Sequence, residues 1–218
     1  MKNMNRREFL QASAGLGALA LAGDIRPAGA FAGTNQTERN EKMRILVLTG
    51  SPRKNGNSNE LASRFIEGAM EAGHEVFRFD AAESNVHPCI ACNSCGMDGP
   101  CVFNDDFEKA RKHIIPADLV AFATPLYYYG LSAQLKTVID RFYAINGQIH
   151  VPKRAVLLMT FANSGLNNAH ALETHYEALL DYLGWKDAGR VIAPGVWTAG
   201  SIKNTSYPEQ AYQLGKNL

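Results

Sequence analysis

Nothing in this 218-residue chain approaches the roughly 20 consecutive apolar residues that a helix needs to span a bilayer; the apolar run from Ala12 to Ala22 is about half that length. No permanent membrane anchor is expected. Charge of one sign is also missing: 22 Lys plus Arg stand against 21 Asp plus Glu, a net charge of +1. So weak a field gives the whole molecule no attraction for nucleic acid or an acidic membrane, and any anion must be held locally. Internal repeats are absent. The six histidines are scattered, with no carboxylate or serine arranged to make one catalytic. No side chain is expected to act as a catalytic acid, base or nucleophile. Cysteine is scarce and confined: all four lie between Cys89 and Cys101.

What is present at the start reads as an address rather than as fold. Lys2, Arg6 and Arg7 make a basic beginning, the alanine- and glycine-rich run follows, and "AGAFA" supplies small residues at the spacing of a cleavage site. Within this leader "NRREFLQ" resembles the twin-arginine translocation motif through Asn5, Arg6, Arg7, Phe9 and Leu10, departing from it at Asn5 and Gln11. The resemblance implies export, to the periplasm after cleavage, by a route that carries folded proteins already loaded with cofactor. We expect a signal peptide over 1–32, a solvated linker over 33–42 and one domain over 43–218. A chain 46% hydrophobic and 20% charged suits one such domain with a full core.

The domain alternates strand and helix. "RILVLTG", "DLVAFATP" and "RAVLLMTFA" are short apolar runs covered on both faces, the mark of central parallel strands. "EVFRFD" is interrupted by Arg78 and suits an edge strand, and "GRVIAPG" supplies a fifth. Helical spacing joins Leu61, Phe65 and Ala69; then Leu135, Val138, Ile139, Phe142 and Tyr143; then Leu172, Tyr176, Leu179, Leu180 and Leu183. "PEQAYQLGKNL" closes the chain as a helix. The expected fold is α/β, a flavodoxin-like doubly wound, five-stranded parallel sheet of order 2-1-3-4-5 with helices on both faces. Ligands in such sheets bind beyond the carboxyl ends of the strands, at the switch point between the first and third.

Three loops reach that point. "TGSPRKNGNSNE" enters a helix near Asn57, with Glu60 placed as a capping-box partner. Its glycines are not spaced as G-x-G-x-x-G and it lacks G-K-[ST], which disfavours dinucleotide and ATP. A terminal monophosphate such as that of FMN suits the helix start, with Ser51, Asn57, Ser58 and Asn59 adding neutral donors and Arg53 a charged one. "TPLYYYGLS" sets Tyr127, Tyr128 and Tyr129 between Pro125 and Gly130, where ring faces and backbone N–H groups can line a flat heteroaromatic, and Ser132 can cap the next helix. "FANSG" offers Asn163 and Ser164 toward the polar edge of that ring.

The cysteines, "CIACNSCGMDGPC", follow C-x2-C-x2-C-x5-C: Cys89, Cys92, Cys95 and Cys101. By themselves they fit a metal cage, two disulfides or a thiol redox switch; export favours disulfides, but bridges within thirteen residues close only short loops. Three thiols at x2 spacing suit an iron–sulfur cubane better than the separated pairs usual for zinc.

Together "GSPRKNGNSNELA", "PCIACNSCGMDGPCVFNDDF" and "TPLYYYGLSAQLKTVIDRF" resemble the NADPH-dependent FMN reductase group of flavodoxin-like proteins, in particular its iron-sulfur flavoproteins. The resemblance covers 43–218. It implies FMN phosphate on Ser51, Arg53, Ser58 and Asn59, and the isoalloxazine on Pro125, Leu126, Tyr127, Tyr128, Tyr129 and Gly130 with help from Asn163. It further implies one [4Fe-4S] cluster on the four cysteines beside the flavin, NAD(P)H as donor, a quinone-like or one-electron acceptor, and a homodimer or homotetramer that completes the flavin site.

Overall fold

The computed structural model describes residues 42–218, so the expected signal peptide and all of the expected linker but Lys42 lie outside the described residues. Five strands form one parallel sheet: β1 (Arg44–Thr49), β2 (Glu75–Asp80), β3 (Leu119–Pro125), β4 (Arg154–Thr160) and β5 (Lys186–Ala193). Their order is β2-β1-β3-β4-β5, as expected. β1 pairs with both β2 and β3, which puts the reversal of winding at its carboxyl end. The register aligns Thr49 with Ala123 and Pro125 with Thr160, so the loops after β1, β3 and β4 leave the sheet at nearly one level.

The helices are α1 (Asn57–Glu71), α2 (Phe107–Ile114), α3 (Ala133–Asp140), α4 (Asn146–Ile149), α5 (His170–Leu183) and α6 (Tyr207–Lys216). Strand side chains alternate between two cores. Leu46, Leu48, Val120, Phe122, Leu157 and Met159 face one; Ile45, Val47, Leu119, Ala121, Val156 and Leu158 face the other. Each face buries an apolar layer under helices, the arrangement that lets every central strand be hydrophobic throughout. β2 is only partly buried, in keeping with its edge position.

Two elements differ from the sequence reading. α2 was not foreseen: only Phe107, Ala110 and Ile114 are buried on its eight residues, too sparse a stripe to stand out. The helix expected to run from Leu135 through Tyr143 stops at Asp140 and tightens into a 3₁₀ turn, Arg141–Ile145. The change of winding turns Arg141 inward, where it is 1% exposed and paired with Asp105.

Candidate functional site

At the end of β1 the chain turns sharply into α1. Gly56 is the N-cap residue, extended at φ −75° and ψ 156°, and no side chain caps the helix. The expected capping box does not form: with Gly56 as N-cap, Glu60 is the fourth helical residue instead of the third, and its carboxylate lies 3.5 Å from Lys203 Nζ. The first helical bond runs from Glu60 N to Gly56 O at 3.0 Å. Among the described residues, the N–H groups of Asn57, Ser58 and Asn59 meet no acceptor, and they carry the positive end of the dipole of a 15-residue helix. Ser51 Oγ accepts from Arg53 N at 3.2 Å, so its hydroxyl proton is left for a ligand. A Cβ on Gly56 would come within 2.8 Å of both Arg53 O and Ser51 Oγ, so only glycine keeps this cradle open.

The two asparagines differ from expectation. Asn57 Nδ2 donates to Val196 O at 3.1 Å and Thr198 O at 2.9 Å, while its Oδ1 accepts from Ile202 N at 3.3 Å. Asn59 Nδ2 donates to Arg53 O at 2.9 Å and approaches Lys54 O at 3.4 Å. Both amides are spent shaping loops, which leaves the backbone N–H groups, Ser51, Ser58 and Arg53 as donors toward an anion.

The loop after β3 is a tight turn. Tyr127 N bonds Gly130 O at 3.1 Å and Gly130 N bonds Tyr127 O at 3.0 Å. Tyr128 and Tyr129, at φ +46° and +65°, occupy the left-handed region that non-glycine residues avoid. All three tyrosines are exposed. The turn is tied to its neighbours: Leu126 N bonds Thr160 O at 2.8 Å, and buried Ser132 Oγ donates to Gly50 O at 2.7 Å while capping α3 through Leu135 N. Asn163, after β4, accepts Gly195 N on its carbonyl and Gly165 N on its own Oδ1. Ser164 is exposed in the same loop.

These loops enclose two adjoining clefts. One, of about 560 Å³ including its mouth, is walled by Ser51, Arg53, Asn57, Ser58, Pro125, Tyr127, Thr160 and, from the loop after β5, Val196 and Trp197. The other lies between Tyr128, Tyr129, Asn163 and Asn168, and the two share Leu126, Phe161 and Ala162. Their shape suits a flavin mononucleotide, with a donor-lined end for phosphate and a shallow aromatic end for a flat ring. Thr160, Phe161, Val196 and Trp197 were missed in the sequence. Only position after a buried strand could have flagged the first two, and nothing local marks the others.

All four cysteines are unbridged and line one further pocket with Ile90, Val102, Phe103, Arg141 and Tyr143. Left-handed residues at Ala91, Asn93, Gly96 and Met97 curl the loop. Hydrogen bonds from the Ser94 backbone and hydroxyl pull the Cys92 thiol below its ordinary range. The loop is held at its base by Arg141, which bonds Asp105 Oδ2 at 2.7 Å, Asp105 Oδ1 at 3.3 Å and His87 O at 2.9 Å. Burial alone would raise the Asp105 carboxyl, but hydrogen bonds from Arg141, His87 N and Phe107 N outweigh it and hold the group below the usual range. At the far side Tyr143 OH bonds Asn93 Oδ1 at 2.8 Å, Asn146 N bonds Met97 O at 2.8 Å, and Gln148 N bonds Asp98 Oδ1 at 3.2 Å.

Among the described residues, no three His, Cys, Asp or Glu side chains are gathered closely enough for a single ion. Four thiolates on one zinc lie about 3.8 Å apart, given Zn–S bonds of about 2.3 Å. A cubane takes one thiolate at each of four iron corners and spreads them wider, and four free thiols lining one apolar-walled pocket are a donor set of that kind. The cysteine pocket shares no wall residue with either cleft. Its floor, Arg141 to Ala144, lies beyond the far end of α3, about 12 Å along the helix from Ser132 at 1.5 Å per residue.

Comparison with known proteins agrees with this architecture. The family described as NADPH-dependent FMN reductase matches residues 43–197, and a twin-arginine translocation pathway signal sequence matches residues 3–23. An iron-sulfur flavoprotein of Methanocaldococcus jannaschii is 35% identical over 99 residues, 45% of this chain and 51% of that protein. One of Methanosarcina thermophila is 34% identical over 99 residues, 45% of this chain and 52% of its own length. The chain thus spans about half the length of the curated relatives it matches. Among solved structures, an NAD(P)H:quinone oxidoreductase from Methanothermobacter marburgensis superposes with a TM-score of 0.67 at 21% identity, covering 81% of this chain and 96% of that one.

Proposed function

This chain belongs to the NADPH-dependent FMN reductase family, and from that premise we propose that it is an FMN-dependent oxidoreductase passing electrons from NAD(P)H to a quinone-like or one-electron acceptor. The observation that carries the reading is the convergence of the loops after β1, β3 and β4 on one pair of joined clefts, with an uncapped helix start at one end and an aromatic turn at the other. FMN, when bound, supplies the hydride and single-electron chemistry, and the protein supplies position and environment.

The phosphate would take the N–H groups of Asn57 to Asn59, the hydroxyls of Ser51 and Ser58 and the Arg53 guanidinium. The backbone donors are fixed by the helix before a dianion arrives, and burial of Ser51 and Ser58 keeps water from competing. Leu126, the backbone of Pro125 to Gly130, Phe161 and Asn163 would bound the ring. No side chain in the clefts is required as an acid or base. The four thiols would hold a [4Fe-4S] cluster, which fits their number and shared pocket; such a group supplies one-electron transfer. The twin-arginine leader supports export; the periplasm as destination, one mature domain over 43–218 and a homodimer or homotetramer are part of the same reading.

The test is steady-state oxidation of NADPH and NADH by purified protein loaded with FMN, with a quinone and then ferricyanide as acceptor. Turnover that saturates with pyridine nucleotide supports the enzyme. Flavin that binds but is not reduced by either nucleotide makes the protein an electron carrier instead.

A further inference from the structure

Trp197 is 74% exposed, yet it walls the donor-lined cleft. Scattered exposed apolar residues need no explanation. This one is displayed from a backbone that is fixed on every side. Asn57 Nδ2 donates to the carbonyls on both flanks, Val196 O at 3.1 Å and Thr198 O at 2.9 Å. Gly195 N bonds Asn163 O and Val196 N bonds Phe161 O, each at 3.0 Å. Gly195 and Gly200, at φ +74° and +80°, bracket the segment in the conformation that glycine tolerates best. Asn57 is buried, and its amide group is committed to this loop alone. A buried amide spent on holding an indole in solvent contributes to the free protein only through the loop. A ligand in the cleft would give the indole something to cover, and burying a tryptophan removes about 150–250 Å² from water.

We propose that Trp197 forms the outer wall over the phosphate-bearing tail of bound FMN, and that the Asn57 side chain, whose amide is committed to the Trp197 loop, positions that wall and makes no contact of its own with the phosphate, which its backbone N–H faces. The inference rests on the assignment of FMN to the cleft. An indole presents an apolar face and a single N–H donor with no acceptor, which suits a sugar-alcohol chain ending in an anion and repels none of its charge.

The experiment measures FMN dissociation constants, by flavin fluorescence, for the wild-type protein and for W197A, W197F, N57A and the N57A/W197A double variant. W197A is expected to weaken binding about tenfold or more, and W197F to recover most of the loss, because an aromatic wall of similar breadth remains. N57A weakens binding in the same direction, and the double variant binds no worse than W197A, since residues acting through one another are non-additive. W197A binding FMN like the wild type overturns the inference, as does multiplication of the two effects, which would make Asn57 a direct contact. If N57A does not fold, the W197A and W197F pair decides alone. Wild-type protein that binds no FMN overturns the cleft assignment itself, a result distinct from the others.

Discussion

Tyr128 and Tyr129 hold left-handed backbone angles that cost a non-glycine residue about 1–2 kcal/mol each. Glycine at either position would relieve that cost while adding about 0.4–1 kcal/mol of chain entropy to the unfolded state, so Tyr129→Gly should raise the melting temperature by about 1–3 °C in a domain of this size. The same change removes a ring from the rim of the clefts, and FMN affinity or turnover should fall while stability rises; thermal denaturation and a flavin titration on one preparation check both. A variant that loses stability would show that the tyrosines pack in a way their exposure does not suggest. Ser132 is the opposite case. Its buried hydroxyl joins the β1 loop to the β3 loop and caps α3, and Ser132→Ala should cost about 1–3 kcal/mol in urea unfolding by leaving Gly50 O and Leu135 N unpaired. Much at this scale is legible: spacing and position lead to Ser51, Ser58, Arg53 and the tyrosine turn, all of which line the clefts. The asparagines were read only by residue type. Asn57 bonds partners some 140 positions away, and no local pattern announces such a contact.

At the scale of elements, the cysteine loop depends on the anchor at its base. The Arg141–Asp105 pair, with both side chains under 3% exposed, fastens its base to the 3₁₀ turn after α3. Because the Asp105 carboxyl titrates below its ordinary value in the folded protein, this pair contributes stability above about pH 4, and the contribution is lost as pH falls through the folded value. Asp105→Asn should therefore flatten the acid limb of the stability profile while lowering stability at pH 7 by about 3–5 kcal/mol, the cost of leaving a buried guanidinium unpaired. Equal acid sensitivity in variant and wild type would contradict it. Little of this was readable beforehand. Cysteine spacing points to a redox or metal loop, but its anchoring on Arg141 and against α4 joins residues some 40 to 50 positions apart, which no local pattern marks. The break into 3₁₀ winding carries no sequence signal other than the absence of a strong helix stop.

At the scale of the molecule, the sheet was legible because its central strands are unbroken apolar runs and its edge strand is not; burial on both faces writes itself directly into composition. The winding order then fixes where the clefts must open, and Gly56, the uncapped α1 and the tyrosine turn fall there. The joined clefts and the family match both point to FMN, and the cysteine loop forms a pocket of its own that shares no wall residue with the clefts. The most direct measurement is the absorption spectrum of the full chain purified without oxygen, taken before and after NADPH, with iron and acid-labile sulfide assayed on the same sample. The expected result is one FMN per chain whose bands bleach with NADPH, over a broad shoulder accompanied by about four iron and four sulfide, as a cubane requires. A colourless protein that fails to take up added FMN would contradict it.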